Sequence, residues 1–249
     1  MSRYRQSGDI DIWMDGGFEE GLKYARKIQH PVSFDYINAH LDVFKDTEVE
    51  LHWRVQALTD LFRNRHLQRW LEGQKGDIAA KRVKLFSGEE ITVPSDRFNA
   101  FYLLLHCYHH MSEGGLGLRQ VMDYYFVLMQ PLSEDDKSYA RSAISQFGLT
   151  RFASGMMGVL EQVFGLPEEK MIAAPDQREG EFLLQEIMQN GSFGHFDDRV
   201  KVIAQNRRMQ TMARVFQHNS HLFSHYPSEF FWAPVWLVWH WVWKRTRRS

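Results

Sequence analysis

The chain predicts an α+β fold: a small mixed β-sheet in its first third, followed by a predominantly α-helical bundle. Three observations carry this. Short alternating or apolar stretches at 8–13, 34–44 and 48–53 read as strands. From residue 95 onward apolar residues recur at helical spacing with few interruptions. Between them, Pro94-Ser95-Asp96 starts a helix by N-capping, and the compositional shift there divides residues 1–94 from a helical domain at 95–249.

Gly8-Asp9-Ile10-Asp11-Ile12-Trp13 reads as a short buried strand, with Asp9 and Asp11 on one face and Ile10 and Ile12 packed behind them. After a turn at Asp15-Gly16-Gly17, a helix is expected over 18–29, with Leu22, Ala25 and Ile28 on one side and Pro31 as its stop. The runs 34–44 and 48–53 form an antiparallel hairpin across Lys45-Asp46-Thr47. A charged helix follows at 58–74, with Arg65 and Arg69 on a solvated face. A second hairpin joins 83–86 to 91–93 through Ser87-Gly88-Glu89-Glu90. Helices are then expected at 96–111, 116–129, 133–147, 150–164, 177–189 and 199–218, and in the Trp-rich run at 230–243. Ser133 and Thr150 suit N-caps, and Gly148 and Gly165 suit stops.

A chain of 249 residues can bury the core of one sizeable domain or two small ones. Its net charge of -1 lacks the basic field that drives non-specific nucleic-acid binding, so a long DNA or RNA partner is disfavoured. The single cysteine, Cys107, lies in an apolar run and has no partner for an intrachain disulfide. With no secretory signal visible, this fits the reducing cytoplasm. The terminal apolar run is about fourteen residues, short of the roughly twenty that span a bilayer. Its tryptophans and basic end suit a membrane interface, yet a helix packed on the domain is the favoured reading.

Two aspartates on one strand face can share a metal. Glu48, Glu50 and His52 share one face of the alternating run, while Val49, Leu51 and Trp53 share the other. Placed beside the first strand, this acid-bearing strand completes a carboxylate triad. Hard cations such as Mg²⁺ prefer such oxygens, and metal–carboxylate sites serve phosphoryl and nucleotidyl transfer. His40 or Asp42 can stand near Glu50 across the hairpin. His106 and His110, four apart on a helix, invite a zinc reading but lack a third ligand and the glutamate of the metalloprotease motif. Arg119 and Asp123 can pair across one helical turn, or Asp123 can orient Arg119 toward a phosphate.

Gly-Asp-Ile-Asp-Ile-Trp, followed some forty residues later by Val-Glu-Leu-His-Trp, resembles the nucleotidyltransferase superfamily of the DNA polymerase beta type, and within it a poorly characterised bacterial branch. The resemblance extends to Arg5, to the His-rich helix and to residues 118–123. It implies Asp9 and Asp11 as the metal-binding pair and Glu50 as the third acid. It further implies Mg²⁺, a nucleoside triphosphate donor with ATP as default, and an unidentified acceptor. Arg5, Ser7 and Gly8 are available to meet a phosphate, and His110, Arg119 and Asp123 to wall the nucleotide or acceptor site. The superfamily's upstream helix and Gly-Ser turn do not fit in the eight residues before Asp9, so an N-terminally truncated core is expected. The rival expectation is a non-catalytic binding or regulatory protein of the same fold, membrane-peripheral through its Trp-rich tail.

Overall fold

The computed structural model of the chain describes residues 8–45, 47–113, 115–190 and 222–247. It is mixed α+β, as expected. Two compact units are present, one of Met1–Leu71 with Trp232–Ser249 and the other of Glu72–Phe231. These packing units differ from the compositional division at residue 94. The second hairpin packs with the helices that follow it, and the terminal segment returns to the first unit.

In the first unit, β1 (Ile10–Trp13), β2 (Ser33–Phe34), β3 (Asn38–Leu41) and β4 (Val49–His52) form one sheet in the order β1-β4-β3-β2. β1 runs parallel to β4, while β3 is antiparallel to both β4 and β2. The expected hairpin across 45–47 is therefore present. The single long strand expected at 34–44 is instead two, because the Asp35 carboxylate accepts the backbone N–H groups of Ile37 and Asn38 and turns the chain there.

Helix α1 (Gly17–Ile28) covers one face of the sheet. Leu22 and Ala25 of α1, Phe34, Ala39, Leu41, Val49 and Leu51 of the strands, and Trp53 form a single core. The Trp-rich run is helical, and its Trp243 is buried in that core with Trp239 packed against it. Among the described residues no helix is long and apolar enough to cross a membrane.

Two burial expectations fail. Ile10 and Ile12 are 42% and 46% exposed, so β1 is not buried. They share the apolar face with Val49 and Leu51 through the β1–β4 register, but β1 is the sheet edge and the described core stops short of them. Ile28, in the last turn of α1, is likewise exposed.

α2 (Leu61–Gly73) begins in the first unit. The second unit contains α3 (Lys75–Ile78), the antiparallel hairpin of β5 (Lys81–Lys84) and β6 (Glu90–Val93), α4 (Asp96–Glu113), α5 (Leu118–Leu128), α6 (Glu134–Gln146), α7 (Thr150–Phe164) and α8 (Gln177–Asn190). α9 (Pro227–Thr246) starts there. Ser95 caps α4, its Oγ accepting the Phe98 N–H at 3.2 Å. Gly165 closes α7 in the left-handed conformation, as its position suggested. Thr150 is not a cap. It is the first helical residue, after Leu149, whose side chain makes no cap. The helix expected at 199–218 lies outside the described residues.

α6 carries a full capping box. Ser133 Oγ accepts from the Asp136 N–H at 3.2 Å, and Asp136 accepts from the Ser133 N–H at 2.9 Å. Ser133→Ala removes one of these bonds and leaves a donor unpaired. It is expected to destabilise the protein by about 1 kcal/mol, read as a lower denaturant midpoint at unchanged slope.

Candidate functional site

Strand register builds the site. Across the β1–β4–β3 part of the sheet, Asp11 pairs with Glu50 and Glu50 pairs with His40, so all three occupy one rung. On the next rung, Trp13 pairs with His52 and His52 with Asn38. Side chains two apart on a strand share a face, which places Glu48, Glu50 and His52 beside Asp11, His40 and Asn38. The opposite face of β3 and β4 is the apolar core, so the polar face is held flat and rigid from behind.

Within this face Asp11, Glu50 and His52 bring ligand atoms within 4.8 Å of one another, and so do His40, Glu48 and Glu50. His52 is 6% exposed. Its Nε2 lies 3.1 Å from Asp11 Oδ1 and 3.1 Å from Glu50 Oε2, while Nδ1 lies 3.3 Å from the Arg54 carbonyl. Both ring nitrogens face acceptors, which is satisfied only when both carry protons. Burial opposes that charge, but the Asp11 and Glu50 carboxylates outweigh it and raise His52 to about 9.

His40 is placed the same way. Nδ1 lies 2.7 Å from Glu48 Oε1 and 3.3 Å from Glu50 Oε1, with Asp35 Oδ2 4.0 Å from Nε2. Asp35 and then Glu50 raise His40 to about 11; at 4.0 Å the Asp35 contribution is charge attraction rather than a hydrogen bond. Glu50 pays for burial but is held well below the ordinary carboxylate range by these two imidazoliums. Buried Asn38 donates its amide to Glu50 Oε2, and its Oδ1 has no hydrogen-bond partner among the described residues.

Both histidines are raised above their ordinary 6.5, so the stability they contribute is complete below pH 6.5. It is lost as pH rises through about 9 for His52 and then about 11 for His40. Glu50 acts on the acid side, present above its ordinary 4.5 and lost as pH falls. In chelator, the thermal midpoint is expected to drop between pH 6.5 and 9 by a few degrees, at roughly 2–4 °C per kcal/mol for a chain of this size. A midpoint that stays level over that range contradicts the charged arrangement.

Of the residues expected from sequence, the structure brings together Asp11 and Glu50, with His40 beside them. Asp9 is exposed in the segment ahead of β1, outside the 4.8 Å cluster. Gly8 is half-buried just before it. Arg5 and Ser7 lie outside the described residues. His110, Arg119 and Asp123 belong to the second unit. There His110 Nε2 is 2.9 Å from His106 Nε2, and Arg119 and Asp123 are half-buried on α5. Burial, with the Asp123 charge, pushes the Cys107 thiol up, which makes it an inert core group. The sequence reading missed Asn38 and Asp35 and assigned no role to His52. The signal for Asn38 was the hairpin itself, since pairing His40 with Glu50 also pairs Asn38 with His52.

No curated protein and no solved structure matches the chain. A family model described as Uncharacterised nucleotidyltransferase matches residues 1–165. That span covers well over half of the chain and contains every residue of the carboxylate–histidine cluster, and the chain belongs to the Uncharacterised nucleotidyltransferase family.

Proposed function

We propose that the protein transfers a nucleoside monophosphate from a nucleoside triphosphate to an acceptor, using a divalent cation held by Asp11 and Glu50. The observation that carries this reading is that these two carboxylates stand on one rung of adjacent parallel strands. The residues fit such a group. They supply hard oxygen ligands on a face backed by a packed core, and the buried Asn38 amide oxygen beside them has no partner among the described residues. Oxygen ligation favours Mg²⁺, and ATP is the default donor through family analogy. When bound, the cation neutralises triphosphate charge and eases ionisation of the attacking hydroxyl.

Each residue has a part that follows from its surroundings. Asp11, its side chain 41% exposed, reaches solvent and is the ligand that meets incoming substrate. Glu50 stays ionised at neutral pH, so it serves as a fixed negative charge rather than as a proton acceptor. Asp9, exposed in the segment ahead of β1 and outside the cluster, would have to approach Asp11 to serve as a further ligand. His40 and His52 hold the acids in position and offset their mutual repulsion, so that the site is preorganised. The cytoplasm, which supplies nucleoside triphosphates, is the compartment this reading assigns.

The test is incubation with nucleoside triphosphates labelled on the α-phosphate and Mg²⁺, following pyrophosphate release and label transfer. Release by the wild-type chain that Asp11→Asn lacks supports the reading. Equal release by both proteins removes Asp11 from it.

A further inference from the structure

The first unit contains a second polar feature that the carboxylate cluster does not use. A groove of about 360 Å³ is lined by Tyr36, Arg54, Asn64, Arg65, Arg69 and Trp239, together with Leu61 and Gln68, and no acid is among its lining residues. Arg65 and Arg69 are one turn apart on α2 and exposed. Among the described residues, neither side chain has an ion-pair or hydrogen-bond partner. Like charges at this spacing disfavour a helix by a few tenths of a kcal/mol. In a chain with 31 acids to 30 bases, three arginines gathered without a carboxylate stand out.

The third guanidinium is fixed in place. Arg54 Nη1 donates to the Tyr36 carbonyl at 2.7 Å, and its guanidinium lies 4.0 Å over the Tyr36 ring. Burial, with a smaller contribution from the nearby Arg247 charge, lowers its proton affinity against the opposing effect of Tyr36. Tyr36 meets Trp239 edge-on at 5.1 Å between ring centroids, so the groove combines aromatic surface with guanidinium forks. Forks of this kind match phosphate oxygens, and an aromatic wall takes a planar ring.

We propose that this groove binds a phosphate monoester carrying a planar ring, its phosphate held by Arg65 and Arg69 against Arg54 and its ring against Trp239. On the nucleotidyltransferase reading, on which this extension rests, the ligand is the acceptor. Arg54, which lines the groove, follows His52 of the cluster by two residues, and its carbonyl accepts the His52 Nδ1–H at 3.3 Å.

The probe is adenosine 5′-monophosphate, titrated calorimetrically into the full chain in excess chelator, with adenosine as the uncharged control. Binding is expected for the monophosphate, and the exposed-site variant Arg65→Gln/Arg69→Gln should weaken it by about tenfold or more, the effect of losing a charge-assisted hydrogen bond. Asp11→Asn should leave this affinity unchanged. Absence of binding, equal affinity for adenosine, or undiminished binding by the arginine variant overturns the groove. If the arginine variant binds as the wild type does while Asp11→Asn raises the affinity, the anion sits beside the carboxylates, whose charge repels it without a cation; the groove is then wrong while the nucleotidyltransferase reading stands.

Discussion

Asp11→Asn is expected to lower nucleotidyl transfer by about 10²–10³-fold, the range for removing one preorganised electrostatic contact to a transition state. The substitution is nearly isosteric, and the side chain is 41% exposed, so the fold should be little affected. Glu50→Gln should reduce the rate as severely but is a less clean experiment. Glu50 is the carboxylate shared by His40 and His52, and without its charge both imidazoliums lose part of the attraction that keeps them protonated. The two variants therefore separate function from support. Asp11→Asn should change the rate at nearly constant thermal midpoint, whereas Glu50→Gln should change both.

Gly158→Val is expected to produce the largest loss of stability. α7 and α8 cross where three glycines meet. A Cβ on Gly158 would lie 2.8 Å from the Asp176 carbonyl oxygen, and one on Gly180 would lie 3.2 Å from the Gly158 backbone. The Asp176 backbone cannot retreat, because its N–H donates to the Ser154 carbonyl at 3.0 Å and its own carbonyl accepts the Gly180 N–H at 2.8 Å. Replacing a helical glycine by alanine gains up to about 1 kcal/mol in propensity, but overpacking costs about 1–3 kcal/mol. A branched residue adds to the second effect and gains less of the first. A net loss of about 3 kcal/mol is expected, or roughly 6–12 °C in thermal midpoint. Gly73→Ala is the control. A Cβ there meets nothing within 4 Å, so that variant should be neutral or slightly stabilised.

The legible part of the site was local. Alternation at 48–53 assigned Glu50 and His52 to one face, and the short hairpin left His40 or Asp42 as the neighbour of Glu50, which the observed register resolves to His40. What remained hidden depends on distant chain. Whether Ile10 and Ile12 are covered is decided by what lies beyond the sheet edge, and their alternation is the same either way. The break between β2 and β3 comes from one carboxylate taking two backbone N–H groups, a competition that apolar patterning does not reveal. The seating of Trp243 against α1 and β2 joins residues about two hundred positions apart, beyond any windowed reading. The helical half was the most readable, since its caps and glycine stops are short-range signals, and Thr150 failed only by one position.

The central claim is that the acids of β1 and β4 form one cation site, and Mn²⁺ titration followed by electron paramagnetic resonance tests it directly. The wild-type chain is expected to bind Mn²⁺, with Mg²⁺ displacing it. Asp11→Asn and Glu50→Gln should each weaken binding by at least about tenfold, since carboxylate number sets affinity for such cations. Wild-type affinity in both variants would contradict the account.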